Sequence, residues 1–373
     1  MSLRERIKAA NADKGIAAAQ IFERFGVLGN PFPPSSQTTN NPHRRTHIDD
    51  AIDARIESFI RDHKTQVVVV EGTQGTGKTN VLNFYESEIA DVLTELSGFY
   101  VIRYLADPEA SFEGTIRRLF QELGTPHLLK LAAALDPTDA DIFEDARSVE
   151  VRTALRKLAH ARSPEVAEAL LDWFLGMRVL KSHRELLGVN FRLDTVEAKT
   201  AALRDLILVS SKADVLSGVF LLLDELEKQD GVLSPTAVVR YLSALRAIID
   251  ALPNHLFMML AVTPDALRRY SVAVPAFRSR LQNKVELHAL QSSDEALALA
   301  HFYLGHAAKE AQEKQGGSPP AGHSTILSDA EIRNVFEDLV ERAKKSADPA
   351  PRQRIFLHQL HELAEQAIHN MSA

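Results

Sequence analysis

The residues with the clearest chemical potential form a glycine-rich segment that ends in Gly-Lys-Thr. Their spacing is G-x-x-x-x-G-K-[ST], and the members are Gly72, Thr73, Gln74, Gly75, Thr76, Gly77, Lys78 and Thr79. Glycines at these positions let successive backbone N–H groups turn towards a polyphosphate, while the lysine reaches the β- and γ-phosphates and the threonine hydroxyl binds Mg²⁺. The segment therefore predicts a site for a nucleoside triphosphate with its magnesium ion; the alternative is a chance glycine-rich loop.

The flanking sequence supplies the two elements that must position this loop. Four consecutive valines, at positions 67 to 70, precede it and predict a buried strand. Apolar residues then recur at helical spacing, at Val81, Leu82, Tyr85 and Ile89. A helix that begins at the loop brings the positive end of its dipole to the phosphates. Because strand, turn and helix agree, the sequence favours the phosphate loop over the chance match.

A second candidate lies where an apolar run, Gly218–Leu223, ends in Asp224 and Glu225. Such a run predicts a central strand of a parallel sheet, buried on both faces, with the two carboxylates exposed at its carboxyl edge. In P-loop ATPases an aspartate at this place holds Mg²⁺, and an adjacent glutamate can polarise the attacking water. We therefore predict that Asp224 binds the metal together with Thr79 and that Glu225 activates water. The alternative is that the pair merely ends a strand.

Three further positions are predicted to complete the site. Thr263 ends the apolar run at 256–262, where a polar residue can contact the γ-phosphate or its water; a threonine before proline is also a common way to end a strand. Arg280, with Arg278 as second choice, precedes the last predicted strand, where an arginine can act on the site of a neighbouring subunit. Arg352 stands at the start of the last helix and can reach a phosphate. Surface ion pairing or solvation is the alternative for these arginines.

Composition limits the classes of protein. The chain has 373 residues, of which 45% are hydrophobic and 25% charged, as in soluble globular proteins. It has no cysteine, which excludes disulfides and thiolate chemistry. No apolar stretch is long enough to span a bilayer and the N-terminus lacks the apolar core of a signal peptide, so we expect a cytoplasmic protein without a membrane partner. The formal net charge of −7 argues against non-specific nucleic-acid binding as the main task.

The chain is predicted to be an α/β protein with a parallel sheet flanked by helices. Residues 1–48 are interpreted as an N-terminal helix and an extended connector, and residues 49–290 as the nucleotide-binding core. About 145 residues separate the two motifs, far more than one crossover needs, so a helical insertion is predicted over 110–216. Two capping boxes, beginning at Ser292 and Ser328, predict a C-terminal helical lid domain over 291–373.

Adenine is favoured over guanine as the base. A GTPase would need an Asn-Lys-x-Asp motif and a glycine soon after the metal-binding aspartate. Here no glycine follows within Asp224–Glu227, and the one Asn-Lys pair, in Asn283–Glu286, is followed by glutamate at the position of the aspartate. The expected ligands are therefore ATP and Mg²⁺.

In this order of motifs the chain resembles the AAA+ class of P-loop ATPases, within it the branch of origin-recognition and replication-initiator ATPases. Closer still, it looks like the ATP-binding proteins of BREX-type bacterial phage-defence systems. The segments that carry this second resemblance are Leu171–Gly176, Leu187–Val189, Gly218–Lys228 and Ala261–Pro264. Thr263 departs from the pattern, because asparagine is commonest at this position in AAA+ proteins.

The resemblance implies a working arrangement. Asn30 and Phe32 would form an entry segment that contacts the nucleotide, Arg280 would act in trans, and the protein would form a homo-oligomer with active sites at subunit interfaces. Other protein subunits of a defence or DNA-processing complex are implied, and DNA is left open as a partner. With no winged-helix domain after the lid, independent recognition of origin DNA is not expected. Two rival functions stay open: a nucleotide-binding scaffold without turnover, and an ATPase regulating transposition or helicase loading.

Overall fold

The computed structural model describes residues 21–34, 37, 40–96, 98–105, 112–178, 180–227, 234–315, 326–346 and 350–372. Residues 1–20 of the predicted N-terminal helix, and Lys228, lie outside these ranges. The strands are β1 (Gln66–Gly72), β2 (Phe99–Leu105), β3 (Gly218–Asp224), β4 (Leu256–Val262) and β5 (Asn283–Leu287). The helices are α1 (His47–Asp62), α2 (Lys78–Leu93), α3 (Phe112–Ala134), α4 (Ala140–Glu144), α5 (Val149–Ala161), α6 (Pro164–Phe174), α7 (Lys181–Leu187), α8 (Val196–Lys212), α9 (Pro235–Ala251), α10 (Pro264–Ala273), α11 (Pro275–Arg278), α12 (Ser293–Gln315), α13 (Asp329–Lys345) and α14 (Gln353–Ser372). Among the described helices, none is both long and apolar enough to cross a bilayer.

The five strands form one sheet in the order β2-β3-β4-β1-β5. The pairings of β1 with β4, β3 with β4 and β2 with β3 are all parallel. Every residue of β3 and β4 is buried, which explains why these strands are continuous apolar runs. The predicted α/β architecture, a parallel sheet with helices, is thereby confirmed.

The strand registers bring the polar residues that follow the strands to one edge. Asp224, the last residue of β3, lies opposite Leu105 of β2, and Leu223 lies opposite Leu260 of β4. Strand β1 reaches the same edge, because Glu71 lies opposite Val262. Ligands of open parallel sheets bind outside the carboxyl ends of the strands. Asp224 and Thr263 are therefore at the edge where a site is expected.

The long segment between β2 and β3 is helical, as predicted. Helices α3 to α8 occupy it, and α3 is interrupted at Gly124, shortly before Pro126. Ser163 caps α6 by accepting a hydrogen bond from the backbone of Val166. These helices share one hydrophobic core with the sheet; within the insertion, the rings of Phe120 and Phe174 stack with their centroids 4.8 Å apart. The described helices of the insertion are thus packed into the core of the sheet.

The chain divides into two compact units. The sheet unit comprises residues 46–71 and 82–286, and the lid unit comprises the described parts of 1–45 and 287–373 together with 72–81. The lid unit has its own hydrophobic core, to which the N-terminal segment contributes Phe32. The capping box at Ser328 forms as predicted, with Glu331 completing it. The N-terminal segment and the glycine-rich loop thus group with the lid.

Candidate functional site

The glycine-rich loop has the backbone that its sequence requires. Gly75 has φ +84° and Gly77 has φ +98°, a region that residues with a side chain rarely adopt. Between them Thr76 is buried, and its Oγ1 donates a hydrogen bond of 2.8 Å to the carbonyl oxygen of Thr73. Helix α2 then begins at Lys78. The loop therefore has the turn and the helix start that a phosphate-binding segment needs.

The lysine of the motif lies over its own loop. Lys78 is only 8% exposed, and its Nζ donates to the carbonyl oxygens of Gly72 at 2.8 Å and Thr73 at 3.3 Å. These bonds hold the ammonium group against the loop, where its charge can act on a phosphate group. Thr79, the predicted metal ligand, follows in the first turn of α2 and is partly exposed. The phosphate contact of Lys78 and the metal contact of Thr79 stay predictions.

The start of the last helix packs on this loop within the lid unit. The backbone N–H of Arg354 donates to the carbonyl oxygen of Gly75 at 3.1 Å. A Cβ atom added to Gly75 would lie 3.6 Å from Cβ of Arg352, and one added to Gly77 would lie 3.4 Å from Oε1 of Gln353. Arg352 is therefore next to the phosphate loop, as its predicted role requires. Its contact with a phosphate stays a prediction.

Asn30 and Phe32 attach the N-terminal segment to the same helix. The Asn30 Nδ2 donates to the carbonyl oxygen of His361 at 3.0 Å and to Oε1 of Glu365 at 2.9 Å. Its Oδ1 accepts a hydrogen bond of 3.1 Å from the backbone of Phe32. The Phe32 ring is buried in the core of the lid unit. A nucleotide contact by these residues stays a prediction, and in Phe32 the backbone would have to make it.

In the sheet unit, the predicted metal ligand is ion-paired. Asp224 is 1% exposed, and its Oδ1 accepts a hydrogen bond of 2.9 Å from the backbone N–H of Glu225. Its Oδ2 accepts one of 2.7 Å from Nη2 of Arg103, on the neighbouring strand β2, whose side chain is 10% exposed. Arg103 is a functional candidate that the sequence reasoning missed. The signal was a single arginine in an otherwise apolar strand, because a buried charge needs a partner.

Arg103 is the buried cation beside these carboxylates. Burial lowers the pKa of its guanidinium, and the negative charges of Asp224, Glu86 and Glu225 act in the opposite direction. The guanidinium nevertheless stays protonated, as arginine does in proteins generally. The carboxyl edge of the sheet therefore carries acidic groups with a fixed positive charge among them.

Glu225, the predicted water-activating residue, has a left-handed backbone. Its φ is +54°, where a residue other than glycine pays roughly 1–2 kcal/mol. The turn that follows is held by Tyr270, whose hydroxyl donates to the carbonyl oxygen of Leu226 at 3.0 Å. Backbone strain of this kind persists where the surrounding structure imposes it, and it clusters at functional sites.

Thr263 caps a helix. It lies at the N-terminus of α10, where its Oγ1 accepts a hydrogen bond of 3.4 Å from the backbone of Ala266. The hydroxyl proton is not used in this bond, so a threonine can also donate to another acceptor. Thr263 therefore has a structural task at the carboxyl edge, and its proposed sensing of phosphate stays a prediction.

Arg280 takes part in a surface ion-pair cluster. Its Nε donates to Oδ1 of Asp250 at 2.6 Å, while Nε of Arg246 donates to Oδ2 of the same carboxylate at 3.0 Å. Arg278 is exposed. The ion-pair alternative weighed for Arg280 is thus present within the chain, and its action on a neighbouring subunit stays a prediction.

The comparison with protein families decides what the chain is related to. The model of the family described as "BREX system ATP-binding protein BrxC/D" matches residues 143–372, which is more than half of the chain. The chain belongs to this family. The matched range begins after the glycine-rich loop and contains the Asp224–Glu225 pair. The predicted resemblance to BREX ATP-binding proteins is confirmed.

Solved structures show distant likeness. The chain is similar to the Aeropyrum pernix ORC2 protein in its ADPNP-ADP complexes, with 13% identity, a TM-score of 0.43, and coverage of 90% of this chain and 72% of that one. For the Walker-type ATPase paby2304 of Pyrococcus abyssi the identity is 11%, the TM-score 0.42, and the coverage 90% and 74%. For Drosophila ORC bound to DNA the identity is 12%, the TM-score 0.35, and the coverage 98% of this chain and 74% of that one. No curated protein matches the sequence.

Proposed function

We propose that this member of the BREX ATP-binding family is an AAA+ ATPase that binds MgATP and hydrolyses it to switch or drive a multi-subunit complex. The observation that carries the proposal is the glycine-rich loop between β1 and α2, with two glycines at positive φ and Lys78 held against the loop carbonyls. The description of the family as ATP-binding supports it independently.

The residues have distinct proposed roles. The backbone of Gly72–Thr79 and the Lys78 ammonium would bind the phosphates, and Thr79 and Asp224 would hold Mg²⁺. Oxygen ligands from a hydroxyl and a carboxylate suit this ion. When bound, the metal neutralises charge on the phosphate oxygens. Glu225 would orient the attacking water and accept its proton. Fixed charges of this kind lower the barrier because phosphoryl transfer is catalysed mainly by positioning and electrostatics.

Membership of a BREX family supports a role beside other subunits. We propose that the chain acts in the bacterial cytoplasm, in a complex directed against phage. In a homo-oligomer, Arg280 would complete the site of a neighbour. DNA is a candidate partner of the complex.

The proposal is tested with the full chain and three variants. Wild type should bind a fluorescent ATP analogue with Mg²⁺ and release phosphate. Lys78→Ala should lose binding, because the cation over the loop is gone. Glu225→Gln should bind as wild type does but turn over roughly 10²-fold or more slowly, as for loss of a general base. The matched control is Glu88→Gln, at an exposed position of α2, and it should behave as wild type.

The outcomes separate the proposal from its rivals. Unchanged hydrolysis in Glu225→Gln would remove that residue from the mechanism. Tight binding without phosphate release, alone and with the proteins encoded next to it, would favour a scaffold in which ATP only holds subunits together. Failure of wild type to bind ATP at millimolar Mg²⁺ would refute the proposal as a whole.

A further inference from the structure

The ion pair between Arg103 and Asp224 uses the same carboxylate that is proposed to bind Mg²⁺. One oxygen of Asp224 accepts from the guanidinium at 2.7 Å and the other accepts from the backbone of Glu225 at 2.9 Å. The two side chains are 10% and 1% exposed, so little water screens the pair. A metal ion at Asp224 would therefore meet a carboxylate whose charge is already compensated.

We propose that Arg103 is a built-in counter-ion of Asp224 that competes with Mg²⁺ for the carboxylate and so sets the magnesium concentration at which the site binds nucleotide. The inference rests on the proposed function, since it concerns the same site. It assigns Arg103 as a positioning residue, which acts on the metal through Asp224 and does not touch the reacting atoms.

The hydrogen bonding of the Arg103 guanidinium is consistent with a side chain that exchanges one acceptor for another. Among the described residues, Nε and Nη1 of Arg103 are buried and have no hydrogen-bond partner. One nitrogen, Nη2, makes the ion pair. Because two donors are unused, the guanidinium can turn to another acceptor without losing a full set of bonds. The negative charges of Glu86 and Glu225 also act on the guanidinium.

The direction in which Mg²⁺ affinity changes when Arg103 is removed distinguishes two roles for this residue: competition with the metal, and orientation of Asp224 as its ligand. If Arg103 competes, its removal leaves a more negative site and Mg²⁺ binds more tightly. If Arg103 only orients Asp224, its removal loosens a ligand and Mg²⁺ binds more weakly, as is usual for residues that support metal ligands. The two explanations therefore predict opposite shifts of one measured midpoint.

The experiment is a Mg²⁺ titration of the binding of a fluorescent ATP analogue to the full chain, with metal-free thermal unfolding as a second readout. Arg103→Gln should lower the Mg²⁺ midpoint about tenfold or more, because two opposite charges a few ångströms apart interact strongly at low dielectric. It should also lower the metal-free unfolding temperature, and Mg²⁺ should restore part of that loss. Arg103→Lys, which keeps the charge, should have a midpoint between the two.

The matched control is Arg204→Gln. Arg204 makes an equally buried ion pair with Asp205 in the insertion, with side chains 11% and 0% exposed. Its loss should lower stability and leave the Mg²⁺ midpoint unchanged. An unchanged or raised midpoint in Arg103→Gln, while wild type still requires Mg²⁺ for tight binding, overturns this inference alone. If Arg103→Gln does not fold, the Mg²⁺ midpoint of Arg103→Lys decides: a lowered midpoint supports the inference, and an unchanged or raised one overturns it. Absence of ATP binding by wild type overturns the proposed function instead.

Discussion

The left-handed backbone at Glu225 predicts that glycine stabilises the protein at this position relative to alanine. Both substitutions remove the carboxylate, so they differ only in Cβ. At φ +54° the Cβ of alanine costs roughly 1–2 kcal/mol. Glycine loses more backbone entropy on folding, which offsets roughly 0.5–1 kcal/mol of this. These ranges leave a net difference of about 0–1.5 kcal/mol, so we expect Glu225→Gly to exceed Glu225→Ala by about 0.75 kcal/mol in the free energy of unfolding, measured by urea denaturation without nucleotide.

The control pair stands at Glu337, an exposed position in the middle of α13. Alanine is the best helix former there, so Glu337→Ala should exceed Glu337→Gly by about 1 kcal/mol. The order of alanine and glycine should thus reverse between the two sites. If alanine is more stable than glycine at position 225, the strain assigned to this residue is absent and the reasoning fails. Both variants at 225 should lack ATP turnover, because neither has a carboxylate to position water.

Two further predictions concern Gly75 and His127. Gly75→Ala places a Cβ atom at φ +84°, 3.4 Å from Cβ of Arg354. We expect it to lower the free energy of unfolding by about 1 kcal/mol and to weaken binding of the ATP analogue. The control Gly29→Ala, whose Cβ would face open space among the described residues, should change neither. Burial, aided by the charge of Lys130, lowers the pKa of His127 to about 4. As the pH falls, the unfolded chain therefore takes up the proton before the folded one does. The free energy of unfolding of wild type, measured by urea titration, should be constant above about pH 6.5 and lower by about 2 kcal/mol at pH 5. His127→Gln should lack this decrease.

The strands and the phosphate loop could be predicted because their signals are local. The valines of β1, the glycines of the loop and the apolar run of β3 each fix their own structure within a few residues. Strand β4 coincides with the apolar run at 256–262. The edge at which Asp224 lies also followed, because ligand-binding residues of parallel sheets lie at the carboxyl ends of the strands. The prediction that its carboxylate is exposed is wrong, since Asp224 is 1% exposed and paired with Arg103.

Contacts between distant segments could not be predicted in this way. The pair of Arg103 with Asp224 depends on the register of β2 against β3, which no periodicity within one strand reveals. The ion pair of Arg280 with Asp250 joins the end of α9 to the loop before β5. The sequence identified the arginine as polar and placed it before a strand, but its partner is 30 residues away. In both cases the sequence identifies the charged residue, but it does not predict which residue pairs with it.

Within the lid unit, helix α14 joins segments that are far apart in sequence. Its first turn holds the phosphate loop through the bond from Arg354 to Gly75, and its middle holds the N-terminal segment through Asn30. One helix of 20 residues therefore contacts both segments. If the proposed switch moves the loop, the bond from Arg354 to Gly75 is the contact through which α14 would follow it.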